Sequence, residues 1–582
     1  MRATREEIRR AYARVKSLLL REKGARPNWV GQLSPSALST ATAVSALCLA
    51  DRAGHDSRIE RGLAWLARTQ NSDGGWGDTA ASRSNVATSY LALAAFQLAG
   101  RGSSELLRRA STHVEAAGGL DAVIRRYGKD KTFSAPILAN LAIAGQIEWH
   151  DCPQLPFWLA ALPKRLYPRL GLHVVSYALP ALIAVGLARW RNDRSRNPLA
   201  GLTVQSALRL LERITPESGG YLEATPLTSF VAMGLIAAGE RNLPSLRRNI
   251  AFLVHEQSED GSWKIDRDLA VWVTSLSVSA LGGGDAATRD WLLAQQTKLV
   301  HPYTGSPPGG WGWTDSSGSV PDVDDTAGAL LALSLLPEPR RCITAAANGV
   351  QWLLDLQNDD GGWPTFCRGW RRLPFDQSAP DLTAHALRAL VRWCPWLPAK
   401  MQHRIETALR KGLAYLDGSQ RPDGSWAPLW FGNEAAPGEE NPVYGTARVL
   451  AAYRELRQAE EAAERGVEYL VGVQNADGSW GGAAGVAGSV EETALACDAL
   501  AGLNGPRELE AVERGIAWLC QRANEENGLR PAPIGLYFAK LWYSERLYPM
   551  IFAVSALRNV CEGQSTSMPQ AVQTSPASWG RP

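Results

Sequence analysis

Apolar residues recur at helical spacing along most of the chain, and the helices come in pairs separated by one kind of polar turn. A helical pattern such as 62–68 runs into a turn, and a second such as 86–98 leaves it. The turns share the form Gln-x-x-Asp-Gly-x-Trp at 70–76, 257–263, 357–363, 420–426 and 474–480. A stretched version ends at Trp311, and degenerate ones lie at 217–221 and 28–31. Asp-Gly is turn chemistry: Asp bonds the local backbone and Gly accepts positive φ. Gln suits backbone groups at helix ends, and Trp suits stacking on a neighbouring repeat's Gln or aliphatic stem. These turns therefore read as staples between outer and inner helices. A period of roughly fifty residues with two helices each marks an array of helical hairpins. The expected architecture is all-α, two (α/α) barrels, each a closed double ring.

Polar breaks at 191–197 and 238–244 place one barrel at 24–240 and the second at 241–561. Residues 1–23 read as a charged amphipathic helix rather than a signal peptide, packing across the barrels. The Ser/Gln/Pro-rich tail, 562–582, is expected to be disordered.

Composition narrows the function. The 582 residues, 45% hydrophobic, suffice for two to four average domains. A net charge of +3 with scattered Lys and Arg gives no reason to invoke nucleic acid. Eight cysteines form no CxxC pair and sit mostly in apolar helical patterns, which suggests reduced core thiols and a cytoplasmic protein. No apolar run is long enough to span a bilayer. The anomaly is tryptophan, 22 residues against 10 phenylalanines.

One stretch departs from structural patterning. Asp322, Asp324 and Asp325 fall within four residues, just before the Ala/Leu-rich pattern that begins at Gly328. Half-buried together, three carboxylates repel, and the simplest remedy is to keep one protonated. Such a group facing an apolar cavity is a Brønsted acid. Two other readings stand beside it: first-turn carboxylates cap a helix, and clustered carboxylates suit a hard cation.

Together, the Gln…Asp-Gly-x-Trp repeats and Asp322-Val323-Asp324-Asp325-Thr326-Ala327 resemble the QW repeats and the DxDDTA acid motif of the squalene–hopene cyclase family of class II terpene cyclases. The resemblance runs over nearly the whole chain. It implies the terpenoid cyclase/prenyltransferase toroid, with Asp324 as the acid and Asp322 and Asp325 holding it. The segment from Asp376 to His385 is similar to the one that orients and recharges the acid, which implies that role for His385 and Asp381, with Asp376 behind them. Taken alone, His385 would sooner read as a satisfied core histidine on an apolar helix. By the same resemblance Trp313, Trp272, Tyr177, Trp430, Tyr444, Phe366 and Phe538 are expected on the cavity wall, where π faces stabilise cations without offering a nucleophile.

Two departures stand out. An insertion at 431–441 lengthens a wall loop, and the stretch after Trp190 is short where the family has its membrane-embedded plateau. Residues 155–190 are a candidate interfacial surface in its place, with a basic-flanked hairpin as the plain reading. The implied activity is protonation and cyclisation of a polyprenyl hydrocarbon, squalene-like, without metal or cofactor because no diphosphate leaves. Peripheral membrane association and a homodimer are left open. The alternatives are a class II cyclase of a prenyl diphosphate, using Lys164, Arg165, Arg368, Arg371 or Arg372, and a non-catalytic lipid-binding protein on the same barrels.

Overall fold

A computed structural model describes residues 3–128, 131–161, 178–193, 197–302, 304–366, 374–457, 460–536 and 540–562. The chain starts with α1 (Arg5–Lys23) and continues through α2 (Ala37–Asp51), α3 (Asp56–Arg68), α4 (Val86–Ala99), α5 (Ser104–Ala116), α6 (Gly119–Tyr127), α7 (Lys131–Ile143), α8 (Leu179–Asn192), α9 (Val204–Ile214), α10 (Thr225–Ala237) and α11 (Pro244–His255). After these come α12 (Ala270–Leu281), α13 (Ala286–Ala294), α14 (Val323–Leu335), α15 (Ile343–Leu356), α16 (Pro380–Trp393), α17 (Ala399–Ser419), α18 (Pro442–Leu456), α19 (Glu460–Gly472), α20 (Val490–Leu500), α21 (Pro506–Asn524) and α22 (Tyr548–Cys561).

Two rings result. In the first, α2, α4, α7, α8 and α10 form the inner layer, and α10 packs back on α2. In the second, α12, α14, α16, α18, α20 and α22 form the inner layer, closed by α22 on α12. Inner helices are covered on most sides, as on α2, where every residue from Ala37 to Cys48 is buried. Their hydroxyls return to their own backbone, Thr40 Oγ1 to the Ser36 carbonyl at 2.7 Å and Ser45 Oγ to that of Ala41 at 2.9 Å. Outer helices bury one stripe, as α9 does with Val204, Ala207, Leu208, Leu211 and Ile214.

The repeated turns fasten the layers in one recurring pattern. The indole Nε1 of Trp76, Trp263, Trp363, Trp426 and Trp480 donates to the carbonyl ten residues earlier at 2.7–2.8 Å, capping the outer helix just finished. The main-chain N–H of the same tryptophans donates to a Ser or Thr hydroxyl of an inner helix, as Trp426 does to Thr446 at 3.1 Å. The glutamine bridges outward: Gln420 Nε2 donates to the Gly424 carbonyl at 2.9 Å and to that of Ala462 on the next outer helix at 2.8 Å. The indole edge rests on a glycine of that next helix, Gly466 for Trp426 and Gly515 for Trp480. Tyr221 does the same work in the degenerate turn, its N–H donating to Thr228 Oγ1 at 3.0 Å.

These fasteners reveal a crossing that periodicity does not. The turn after α11 belongs to the first ring: Gln257 Nε2 donates to the Arg58 carbonyl on α3 at 2.9 Å, and the Trp263 N–H to Thr40 Oγ1 on α2 at 3.0 Å. A two-stranded pair, β1 (Pro35–Ser36) with β2 (Trp263–Lys264), completes the closure. The first ring's core accordingly extends to Ile265, past the edge expected at 240. Conversely, α1 is an outer helix of the second ring. Its Ala11, Val15 and Leu19 are buried in that ring's core, and Trp29 donates Nε1 to the Leu19 carbonyl at 2.8 Å and its N–H to Thr274 Oγ1 on α12 at 3.0 Å. The chain thus begins in the second ring, builds the first and returns. A small sheet, β3 (Phe431–Gly432), β4 (Ile534–Leu536) and β5 (Leu541–Tyr543), adds antiparallel strands in the order β3-β4-β5 beside the second ring. Among the described residues no helix is long and apolar enough to cross a membrane. Residues 162–177 of the candidate interfacial segment, and all but Glu562 of the tail, lie outside the described residues.

Candidate active site

A cavity lies between the rings, with about 270 Å³ open to the centres of water molecules. Its first-ring wall includes Phe133 and Ile137 of α7 and Leu227 and Phe230 of α10. Its second-ring wall includes Trp272, Trp313, Phe366, Trp430, Phe431 and the carboxyls of Asp322, Asp324 and Asp325. Among the described lining residues the charge-bearing groups are all carboxyls, the fourth being Asp266.

The carboxyl cluster sits at the start of α14. Asp322 is the N-cap and accepts the Asp325 N–H at 2.8 Å, so the capping role is real and coexists with the cavity-facing one. Asp322 and Asp325 are 5% and 4% exposed. Burial pushes Asp322 up to about 7, and the Asp324 charge adds to the shift. Asp325 is driven well above the usual carboxylate range by burial and by its neighbour Asp322, and its Oδ1 is buried without a hydrogen-bond partner. Burial and mutual repulsion therefore favour the protonated form in both.

Asp324, between them in sequence, turns the other way. Its Oδ1 meets His385 Nδ1 at 2.8 Å across to α16. His385 is lowered by burial, while the Asp324 bond and charge pull in the opposite direction. Burial therefore disfavours the charged imidazolium, and the short contact ties α16 to α14 within the second ring. Trp272 packs edge-on against the imidazole with centroids 5.9 Å apart. One turn before His385, Asp381 accepts the Leu429 N–H at 3.2 Å, and its Oδ2 is buried without a hydrogen-bond partner. Burial, then the Asp324 charge, raises it to about 7. Asp376 is buried in the turn ahead of α16, where its carbonyl accepts from Asn358 Nδ2 at 3.1 Å.

The aromatic residues divide. Trp272, Trp313, Trp430 and Phe366 line the cavity. Trp272 is aimed by Nε1 donating to Tyr548 Oη at 3.0 Å, and Trp430 by Nε1 donating to Thr365 Oγ1 at 3.0 Å. Tyr444 stands one layer back instead, behind Phe431, with the rings stacked at 4.5 Å. The insertion explains this: its first residues form β3, which pairs with β4 and lays Phe431 over Tyr444. Tyr177 and Phe538 lie outside the described residues, as do Lys164, Arg165, Arg368, Arg371 and Arg372. Sequence reasoning missed Phe375, Phe431 and Tyr548 on the wall. Phe431 and Phe375 lie within or beside stretches already singled out, but nothing local separates a wall aromatic from a core one. It also missed Asp266, held by the Arg267 N–H at 2.8 Å and raised well above its usual range by burial.

Among the described residues no three His, Cys, Asp or Glu side chains are placed to share a metal. Chemically, the site combines a proton reservoir of crowded carboxyls, one of them oriented by an imidazole, with an apolar chamber walled by aromatic faces.

The sequence matches the family models for the squalene-hopene cyclase N-terminal domain over residues 12–185 and the C-terminal domain over residues 268–561. It is 26% identical over 596 residues to enfumafungin synthase of Hormonema carpetanum, covering 82% of this chain and 42% of that protein. It is 30% identical over 325 residues to drimenyl diphosphate synthase of Streptomyces showdoensis, covering 54% and 56% of the two. The chain thus spans about half the length of these curated relatives. Among solved structures, ent-copalyl diphosphate synthase from Streptomyces platensis superposes with a TM-score of 0.57 at 18% identity, covering 96% of this chain and 99% of that one, so the two share a fold.

Proposed function

The chain belongs to the squalene–hopene cyclase family of class II terpene cyclases, and on that footing we propose that it protonates a terminal alkene of a squalene-like polyprene and guides the ring closure that follows. The observation carrying this reading is the 2.8 Å contact between Asp324 Oδ1 and His385 Nδ1 at the wall of an apolar chamber. Asp324 gives its proton to the alkene carbon, leaving a tertiary cation. The π electrons of the next double bond attack that cation, so each closure passes the charge along the chain. His385 Nδ1–H, donating to Oδ1, stabilises the carboxylate left behind, and crowded Asp322 and Asp325 stay protonated rather than collapse onto the cation. Trp272, Trp313, Trp430, Phe366 and Phe431 offer π faces along the path. Loss of a proton or capture of water ends the cascade, and Asp381 with His385 returns a proton to Asp324.

A hydrocarbon substrate is supported by the aromatic and aliphatic character of the described wall, with Leu227, Phe230, Trp313 and Phe375 among its lining. The relative named drimenyl diphosphate synthase makes a prenyl diphosphate the rival. Purified protein is incubated with squalene in detergent, or with farnesyl or geranylgeranyl diphosphate and Mg²⁺, beside Asp324→Asn, and products are read by mass spectrometry. Cyclised squalene from the wild type alone is the expected result. Conversion of the diphosphates only would overturn the hydrocarbon assignment, and an Asp324→Asn enzyme that still cyclises would remove Asp324 as the acid.

A further inference from the structure

The second ring contains another cavity, which shares no lining residue with the first, at the C-terminal ends of its six inner helices. It is lined on one side by Leu276, Leu331 and Leu335, and on the other by five arginines, Arg388, Arg392, Arg448, Arg454 and Arg558. Against these five cations its lining supplies two carboxyls, Glu455 and Asp498.

Part of this charge has a structural purpose. Helix C-termini present free carbonyls and the negative end of the dipole. Arg454 Nη1 answers them by donating to the Asp498 carbonyl at 2.8 Å, and Arg558 Nη1 to that of Ser279 at 3.3 Å. Arg388 and Arg392 share Glu455, at 2.6 and 3.6 Å. Asp498 is taken up by neutral donors, Ser555 Oγ at 2.9 Å and Asn559 Nδ2.

Arg448 is left over. It lies in the middle of α18 rather than in its last turn, and its guanidinium stands over the rings of Tyr444 and Phe552, 5.0 and 5.6 Å from their centroids, within the field of Asp324 and Asp498 but without an ion pair to either among the described residues. Its Nη2 is buried without a hydrogen-bond partner, and so are Nε of Arg392 and of Arg454. Donors of this strength do not stay unpaired at low cost. Planar guanidinium groups converging on one space suit a compact oxyanion, whose several oxygens accept from several forks at once.

We propose that this cavity is a binding site for a small, multiply charged phosphate-class oxyanion, separate from the polyprene chamber and independent of which polyprene the enzyme cyclises. The oxyanion accepts from Arg448 Nη2 and neutralises the surplus charge.

The test is calorimetric titration of the full-length protein with inorganic phosphate and with pyrophosphate, at ionic strength held constant with chloride. Sedimentation with phosphatidylcholine vesicles, with and without phosphatidic acid, separates a lipid headgroup from a free anion as the source. Saturable one-site binding of pyrophosphate is expected, with a matching rise in thermal midpoint. Arg448→Met, which keeps the apolar stem and removes the cation, should weaken it about tenfold or more, the loss of one charge-assisted hydrogen bond. Retention on phosphatidic acid vesicles alone, lost in Arg448→Met, would assign the same site to a headgroup phosphate. The wild type decides the matter even if the variant misfolds: a titration indistinguishable from chloride, together with no preference for phosphatidic acid, overturns the proposal.

Discussion

Three aspartates in four residues do different work because each side chain leaves the first turn of α14 in a different direction. Asp322 turns back to cap the helix, Asp325 buries against it, and Asp324 reaches His385. The spacing shows that the carboxyls are crowded; which one meets the imidazole depends on where α16 runs. Asp381 shows the cost of burial together with such crowding. Its carboxyl is raised from 3.8 to about 7, so the folded protein binds a proton that the unfolded chain has released across that window. Stability contributed by that proton is present in full below about pH 4 and is lost as the pH rises through about 7, at up to about 1.4 kcal/mol per pH unit. Asp381→Asn keeps an acceptor for the Leu429 N–H and removes the charge. The variant should therefore lose less stability than wild type between pH 5 and pH 8, as read by denaturant melts at fixed ionic strength; parallel pH profiles would refute the assignment.

Fastening between helices was legible in outline. Gln and Trp at a fixed spacing around Asp-Gly implied a staple, but the partners lie on other helices and carry no local mark. Gly515 illustrates this. In sequence it is a glycine inside a helix, where alanine would gain up to about 1 kcal/mol in propensity. In the structure an added Cβ would sit 2.5 Å from Cys497 Sγ and 2.6 Å from the Trp480 ring. That ring is pinned by its bond to the Leu470 carbonyl at 2.7 Å and cannot withdraw. Overpacking of this kind costs about 1–3 kcal/mol, so Gly515→Ala should destabilise despite its better propensity. A melting point equal to or above wild type would mean that the staple yields.

Across the whole molecule, the two rings are tied by the chain's own crossing: α1 completes the second ring and α11 the first. Removing residues 1–27 should strip the cover from α21 and α22 and forfeit the burial of Ala11, Val15 and Leu19, on the order of 5 kcal/mol. Thermal unfolding of the truncated protein should begin well below that of the full chain, and product formation should fall although no residue of α1 lines the cavity. A truncated protein that melts with the full chain would show α1 to be dispensable. Helical content, the repeating hairpins and the acid cluster are written in local pattern, because period, turn chemistry and charge crowding act between residues close in sequence. Ring membership is not local: the hydroxyl that receives the Trp263 N–H is 223 residues away, on Thr40. For the same reason Tyr444 could be recognised as an aromatic beside the site but not assigned to its second layer, since Phe431 covers it only once β3 has paired with β4. Pattern along the chain depends on neighbours in sequence, whereas a cavity wall is settled by which side chains from distant helices reach the space first.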